Sequence, residues 1–571
     1  MLNRIAPAVC LSLALSWAAA QTTPPGKDAP APAAQPAARE TPPDVKAFSD
    51  LSKITDPEKK IEAIGKFKSD FPDSAMASSA DMMILVTLVQ KMPGQQDRIR
   101  QTARAIYRAA LEKDKAGKAA PAAGRAASQM ADTLLSGGVL LKDAEDYARK
   151  GVQDMQQARF LQEQKGAFEK RKQKAPADEE LVKRFKTSRA SRVATLGQIE
   201  IKLGQKARGQ KLLEEAYADN PNLQAAAGVL GELYAKAGND AKALDFLVPV
   251  KLSGRASDTV NAALESIYRK SHGGSMDGFE AMLDSEYRKR YPNPVRAEEY
   301  KPTAKRSNRL VLGEVFTGSG CPPCAGADIA FDAAMERYAR QDLAVIMYHL
   351  HIPRPDPMTN PDTQARAKSY GVNGVPTFAI DGKKTVGGGG RDNAKEIFGR
   401  FNPDLEKELE TQAEAGLKLE AALNADAVNV TAYVQGAWSD SKDLKLQILL
   451  VEKEIRFNGE NGIRFHPMVV RAMGGPRDDG FAVEPNTWFT QEQMFDLDHL
   501  SAVLRAHLDD YEAKGHRGES FKFAEKKSQI SRGNLAVIAF IQDDKTKHVL
   551  QAAFVDLNPQ PAVRMVSELT N

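Results

Sequence analysis

The feature that most narrows the fold is one pair of cysteines lying where the hydrophobic period changes. Residues 309–316 read as a short apolar strand, and Thr317-Gly318-Ser319-Gly320 as a turn. Cys321-Pro322-Pro323-Cys324 then opens a helical pattern that runs to residue 340. Strand, tight turn and helix in that order hold both thiols at a strand end. The third cysteine, Cys10, lies near the N-terminus in an apolar run. A small domain stapled by disulfides carries more cysteines than this, so the spaced pair reads as chemistry rather than reinforcement.

The compartment follows from the first residues. Arg4, an apolar run over 5–17 and Ala18-Ala19-Ala20 have the three parts of an export signal, with cleavage expected near Ala20. Cys10 sits inside the apolar run, whereas a lipid-attachment cysteine follows it, so cleavage would discard Cys10. The protein is therefore expected to be periplasmic or secreted. No later segment reaches the ~20 apolar residues of a spanning helix. The net charge of +4 over 571 residues is small, and the basic stretch at 165–192 is interrupted by Glu169, Asp178, Glu179 and Glu180. Neither nucleic acid nor a membrane surface is an expected partner.

Several domains are expected at this length. Residues 21–44, rich in Pro and Ala, form a disordered linker. Residues 45–300 have helical spacing and contain a repeat: Leu196-Gly197 recurs as Leu230-Gly231, and Gly204 as Gly238, each 34 residues on. That is the period of tetratricopeptide helix pairs, whose concave face takes a partner protein or peptide. Residues 307–403 read β-α-β-α-β-β-α, with strands at 343–348, 375–380 and 383–386 and helices near 361–370 and 392–401. From 415 to 571 the period becomes two, as where Val428, Val430, Ala432 and Val434 alternate with polar residues, and an antiparallel, sandwich-like β domain is expected. The fold class is thus multidomain: a helical repeat, an α/β domain and a β domain.

A thiol reacts as its thiolate, and the positive end of a helix stabilises that charge. Cys321 at the helix start is expected to be the exposed nucleophile and Cys324, one turn on, the resolving thiol. Gly374-Val375-Pro376-Thr377 is the second element. A cis Val375–Pro376 bond at the edge facing the cysteines would leave the Val375 backbone free to pair with an extended substrate.

The CPPC after a strand, with GVPT some fifty residues later, resembles the thioredoxin-like oxidoreductases over residues 307–403. More narrowly, Phe316-Thr317-Gly318 before Cys321, together with His466, Val469, Val470 and Arg471, is similar to the exported outer-membrane-protein-28-related group. The resemblance implies a redox disulfide between Cys321 and Cys324, substrate contact at Val375 and Pro376, and thiol- or disulfide-containing protein partners. Two departures accompany it. Gly320 stands where thioredoxins place tryptophan, and their buried acid aligns with Val315, leaving Glu314 on the opposite face of the strand. No nucleotide, flavin or haem motif is present, and no cofactor is expected. Two rival readings use the same residues. Cys321 and Cys324 with His349 or His351 are a ligand set for Cu(I) or Zn(II) in a copper-delivery protein. An inert cysteine pair would leave a protein-interaction scaffold.

Overall fold

A computed structural model describes residues 42–116, 122–437, 439, 441–476 and 479–557. The expected leader, with Cys10, and the Pro/Ala-rich stretch up to residue 41 lie outside the described residues. The chain divides into two compact units, one ending at Phe246 and the other starting at Leu247.

In the first unit the described residues form helices and turns. Ten helices run from Pro43–Leu51 to Gln224–Lys236, and an eleventh, Asp240–Leu252, begins there. Apolar residues at helical spacing, among them Leu85, Leu88, Ile99, Met130, Leu134 and Ile199, pack into a common core. The helices Asp178–Lys202 and Lys206–Asp219 turn at Gly204, and Gln224–Lys236 and Asp240–Leu252 turn at Gly238. These glycines have φ of +86° and +75°, left-handed values that a Cβ disfavours. The 34-residue offset therefore sets turn upon turn.

The second unit opens with helices Asp258–Ser271 and Phe279–Arg290. Asp284 ties the latter to Arg464 at 2.7 Å and Arg456 at 2.6 Å, so these helices pack with the strands that follow them in sequence. Four strands come first: β1 (Val311–Thr317), β2 (Leu343–His349), β3 (Thr377–Ile380) and β4 (Lys383–Val386). Eight more follow: β5 (Ala415–Asn424), β6 (Ala427–Ala437), β7 (Leu444–Arg456), β8 (Phe465–Met473), β9 (Phe481–Ala482), β10 (Trp488–Asp496), β11 (Leu535–Asp543) and β12 (Val549–Asp556). The helices α1 (Cys324–Arg337), α2 (Pro361–Ser369), α3 (Ala394–Glu410) and α4 (Leu497–Lys514) lie among them.

A nine-stranded mixed sheet runs β12-β11-β7-β8-β2-β1-β3-β4, with β9 on β7, and β10-β6-β5 make a separate antiparallel sheet. The pairs β1–β2 and β2–β8 are parallel. The period-two pattern after residue 415 suggested a β domain with its own sheets; instead β7, β8, β11 and β12 extend the sheet begun by β1–β4. Alternation tells which face of a strand is buried and not which strand it will pair with. The layered packing expected there is present: Val428, Val430, Ala432 and Val434 of β6 face Leu446, Ile448, Leu450, Val537 and Ala539 across one core.

Over the β1–β2 half, α1 and α3 cover Val311, Val315, Val345, Met347 and Phe378. The other face, with Leu312, Phe316, Ile346 and Tyr348, packs against Ala367 and Tyr370 on and just after α2. Each such side chain stabilises the fold by roughly 1.5–3 kcal/mol on burial. With both faces covered, every residue of β1 and β2 is buried, and their C-terminal ends are held where the cysteines lie.

Candidate functional site

Strand β1 delivers the chain to the site and α1 carries it away. The N–H of Cys321 donates to the Gly318 carbonyl and that of Cys324 to the Cys321 carbonyl, both at 3.0 Å. Regular helix starts at Cys324, so Cys321 sits in the turn that feeds the helix rather than on its first residue. The prolines between suit this turn, since neither has an N–H to satisfy. Cys321 and Cys324 form a disulfide with Cα atoms 5.3 Å apart.

Cys321 is not the exposed thiol expected from its position. It is 1% exposed and Cys324 0%, whereas Pro322 and Pro323 are exposed. The cover comes from distant chain. The Val375–Pro376 bond is cis, as is Ile352–Pro353. Cys321 Sγ lies 3.7 Å from the Val375 carbonyl oxygen. The glycine run at 387–390, which the sequence reading passed over, threads the remaining gap. Gly389 donates to the Pro323 carbonyl at 2.8 Å and accepts from Gly326 N–H at 2.8 Å. A Cβ on Gly388 would lie 2.5 Å from both the Pro323 oxygen and Pro376 Cγ, so no larger residue fits. At Gly320 a Cβ would meet Arg354 Cβ at 2.9 Å; the arginine stem takes the room before Cys321. Arg354 is itself paired with Glu460 at 2.7 Å.

A buried polar cluster adjoins the disulfide. Thr317, at the end of β1, donates its hydroxyl to Asp328 Oδ1 at 2.7 Å, and Asn461 Nδ2 lies 3.4 Å from Asp328 Oδ2. Asn461 N–H donates to the Ser319 carbonyl at 2.9 Å. Ser319 N–H in turn donates to Asp356 Oδ2 at 2.6 Å, an oxygen that His349 Nδ1 approaches at 2.9 Å. Burial would raise the Asp356 carboxyl, but His349 and the N–H groups of Ser319 and Met358 outweigh it and hold Asp356 well below the usual carboxylate range. Burial pushes Asp328 up to about 7, although the Thr317 hydroxyl pulls the other way.

The two histidines proposed as metal ligands bond different atoms of one residue, Asp356. His349 is on Asp356 and lies 5.2 Å, ring to ring, from His466. His351, beyond the end of β2, accepts from Asp356 N–H at 2.9 Å and stacks on Tyr511 at 3.9 Å. Burial lowers His351 to about 4 and His466 to about 3. Among the described residues no group of three or more His, Cys, Asp or Glu side chains is placed to hold a metal ion.

Glu314 faces away from the cysteines, as the strand period requires. It accepts from Tyr348 at 2.9 Å, from Arg366 at 2.8 and 2.9 Å, and from Tyr370. Arg471, quoted in the resemblance, is buried against Glu452 at 3.0 Å and donates to the Lys527 carbonyl at 2.6 Å. Sequence reasoning missed Asp328, Asp356 and Asn461. Asp328 had a signal, since it follows Cys324 by four residues and so shares its face of α1. Asp356 and Asn461 lie in loops without pattern.

Compared with known proteins, the sequence matches no family model and no curated protein.

Proposed function

We propose that this protein is an extracytoplasmic thiol–disulfide oxidoreductase, with a thioredoxin-like exchange module around Cys321 and Cys324 and tetratricopeptide-like repeats in its helical part. The observation that carries the proposal is the Cys321–Cys324 disulfide beside the cis Val375–Pro376 bond, with Cys321 Sγ 3.7 Å from the Val375 carbonyl. In that arrangement an extended substrate segment pairs with the Val375 backbone and brings its own sulfur to Cys321. One thiolate attacks, a mixed disulfide forms, and Cys324 resolves it. Electrons pass between this pair and the thiols of another protein, so no bound cofactor is required.

Export fits both the N-terminal apolar run and an oxidised cysteine pair. The role of the helical part as a docking platform is supported by the recurrence of its turns at Gly204 and Gly238. A recess of about 240 Å³ lined by Ser128, Asp132, Arg192, Thr195, Leu223 and Ala226 is large enough to receive side chains of a bound segment. A second reading, an inert disulfide in an interaction scaffold, is favoured by one observation, the burial of both sulfurs.

The two readings separate when the protein is equilibrated in glutathione buffers and its free thiols are trapped. An exchanging pair gives a reversible midpoint, about −120 to −200 mV for an oxidase or isomerase and about −270 mV or lower for a reductase. A pair that never exchanges overturns the proposal and leaves the scaffold.

A further inference from the structure

The buried polar groups beside the disulfide divide into two unlike halves. Asp356 collects three donors within hydrogen-bond distance: His349 Nδ1 at 2.9 Å, Ser319 N–H at 2.6 Å and Met358 N–H at 2.8 Å. Asp328 has one close donor, the Thr317 hydroxyl at 2.7 Å, and the Asn461 amide farther off at 3.4 Å. Both are withdrawn from water, at 0% and 5% exposure. A buried carboxylate keeps its charge only where several donors replace its lost hydration. Asp356 has them and Asp328 does not. Two acids whose surroundings drive them apart in this way are the usual mark of a charge holder and a proton holder. Burial pushes Asp328 up to about 7, within reach of a working thiol. Its place is the second point: four residues after Cys324 on α1, on the same helix face.

We propose that Asp328 is the proton store for Cys324, taking the thiol proton when Cys324 attacks a mixed disulfide and returning it when Cys324 leaves. This rests on the exchange reading above. In the closing direction, the Cys324 thiol passes its proton to the Asp328 carboxylate and its sulfur bonds to Cys321 Sγ. The bond between Cys321 and the substrate sulfur breaks, and the substrate leaves as a thiolate with that electron pair. The substrate disulfide has been reduced and the cysteine pair oxidised. In the opening direction a substrate thiolate attacks Cys321, the Cys321–Cys324 bond breaks, and the Cys324 thiolate takes the proton from the Asp328 carboxylic acid.

The groups that face Asp328 come from every side of this cluster: Thr317 on β1, His349 at the end of β2, Asp356 in the loop after it, Asn461 in the β7–β8 turn, and Asp332 on α1 itself. Glu314, the acid on β1, is on the other face and takes no part.

Reduced protein treated with 5,5′-dithiobis(2-nitrobenzoate) releases one coloured thiolate as Cys321 is captured and a second as Cys324 resolves the adduct. In Asp328→Asn the ratio of the second rate to the first should fall about 10²-fold at neutral pH. The bend near pH 7 in the second phase should also disappear. A folded Asp328→Asn protein that keeps both the ratio and the bend overturns the proposal. Should that variant not fold, the wild-type protein decides. A bend near pH 7 matched by an infrared carboxylic-acid band titrating at the same pH supports the assignment, and a rise without either overturns it. If the reduced wild-type protein releases no coloured thiolate, the exchange reading itself falls and takes this proposal with it.

Discussion

Two acids lie buried on opposite sides of strand β1, and their surroundings differ in kind. Glu314 is enclosed by Arg366, Tyr348 and Tyr370, with Gln542 accepting from Arg366 at 2.8 Å behind it. Its charge is matched by a full charge and by two hydroxyls, and nothing in that cluster is left to react. Asp328 is buried to nearly the same degree but is given a single close hydroxyl. Burial alone therefore does not distinguish a structural acid from a chemical one; the donor inventory does. A fully paired charge makes the core specific, whereas an underpaired acid holds a proton it can exchange.

The sharpest way to break this contrast is to remove the charge from each side in turn. Glu314→Gln leaves Arg366 buried without its counter-charge and should cost about 3–5 kcal/mol in urea unfolding. The exchange rate per folded molecule should stay as it was, because the Glu314 cluster does not touch the disulfide. A loss of exchange in protein that remains folded would show that the two clusters are coupled.

Asp328→Asn should act the other way on stability, and with a pH dependence. An acid whose folded pKa is raised binds a proton in the folded state that the unfolded chain has already lost. Stability therefore falls as pH rises from about 4 to about 7. Over that interval, from 3.8 to about 7, the wild-type protein gives up at most about 4 kcal/mol on account of Asp328. The asparagine variant should lack this slope, so its stability relative to wild type should climb across the window. His351 and His466 work oppositely: buried neutral, they make the fold lose stability as pH drops below about 6.5, levelling near 4 and 3. Both proteins share that contribution, so the difference between their urea midpoints, measured at each pH, reports Asp328 together with its effect on Asp332, which burial and the Asp328 charge push up to about 8. A constant difference would mean that Asp328 titrates like an ordinary surface acid.

Much of the site was legible because local rules govern it. The strand before Cys321, the turn and the helix after it follow from hydrophobic period and proline. The odd placement of Pro376 at a strand start marked the cis bond, and period two put Glu314 on the far face. Local rules do not reach partners distant in sequence. The joining of β8 to β2 meets at Met347 and Val469, and no alternation pattern names such a pair. The Asn461 amide approaches Asp328 across 133 residues, and Val375 covers Cys321 across 54. The exposure of Cys321 was misjudged for that reason: helix position fixes the field at a thiol, while distant chain decides its access to solvent.

The central claim is that this buried pair exchanges with a partner sulfur through Cys321. It is tested most directly by incubating Cys324→Ser with oxidised glutathione and weighing the intact protein. The account expects one glutathione joined to Cys321, released again by a reductant. A Cys324→Ser protein that stays folded, with Cys321 unmodified, would contradict it.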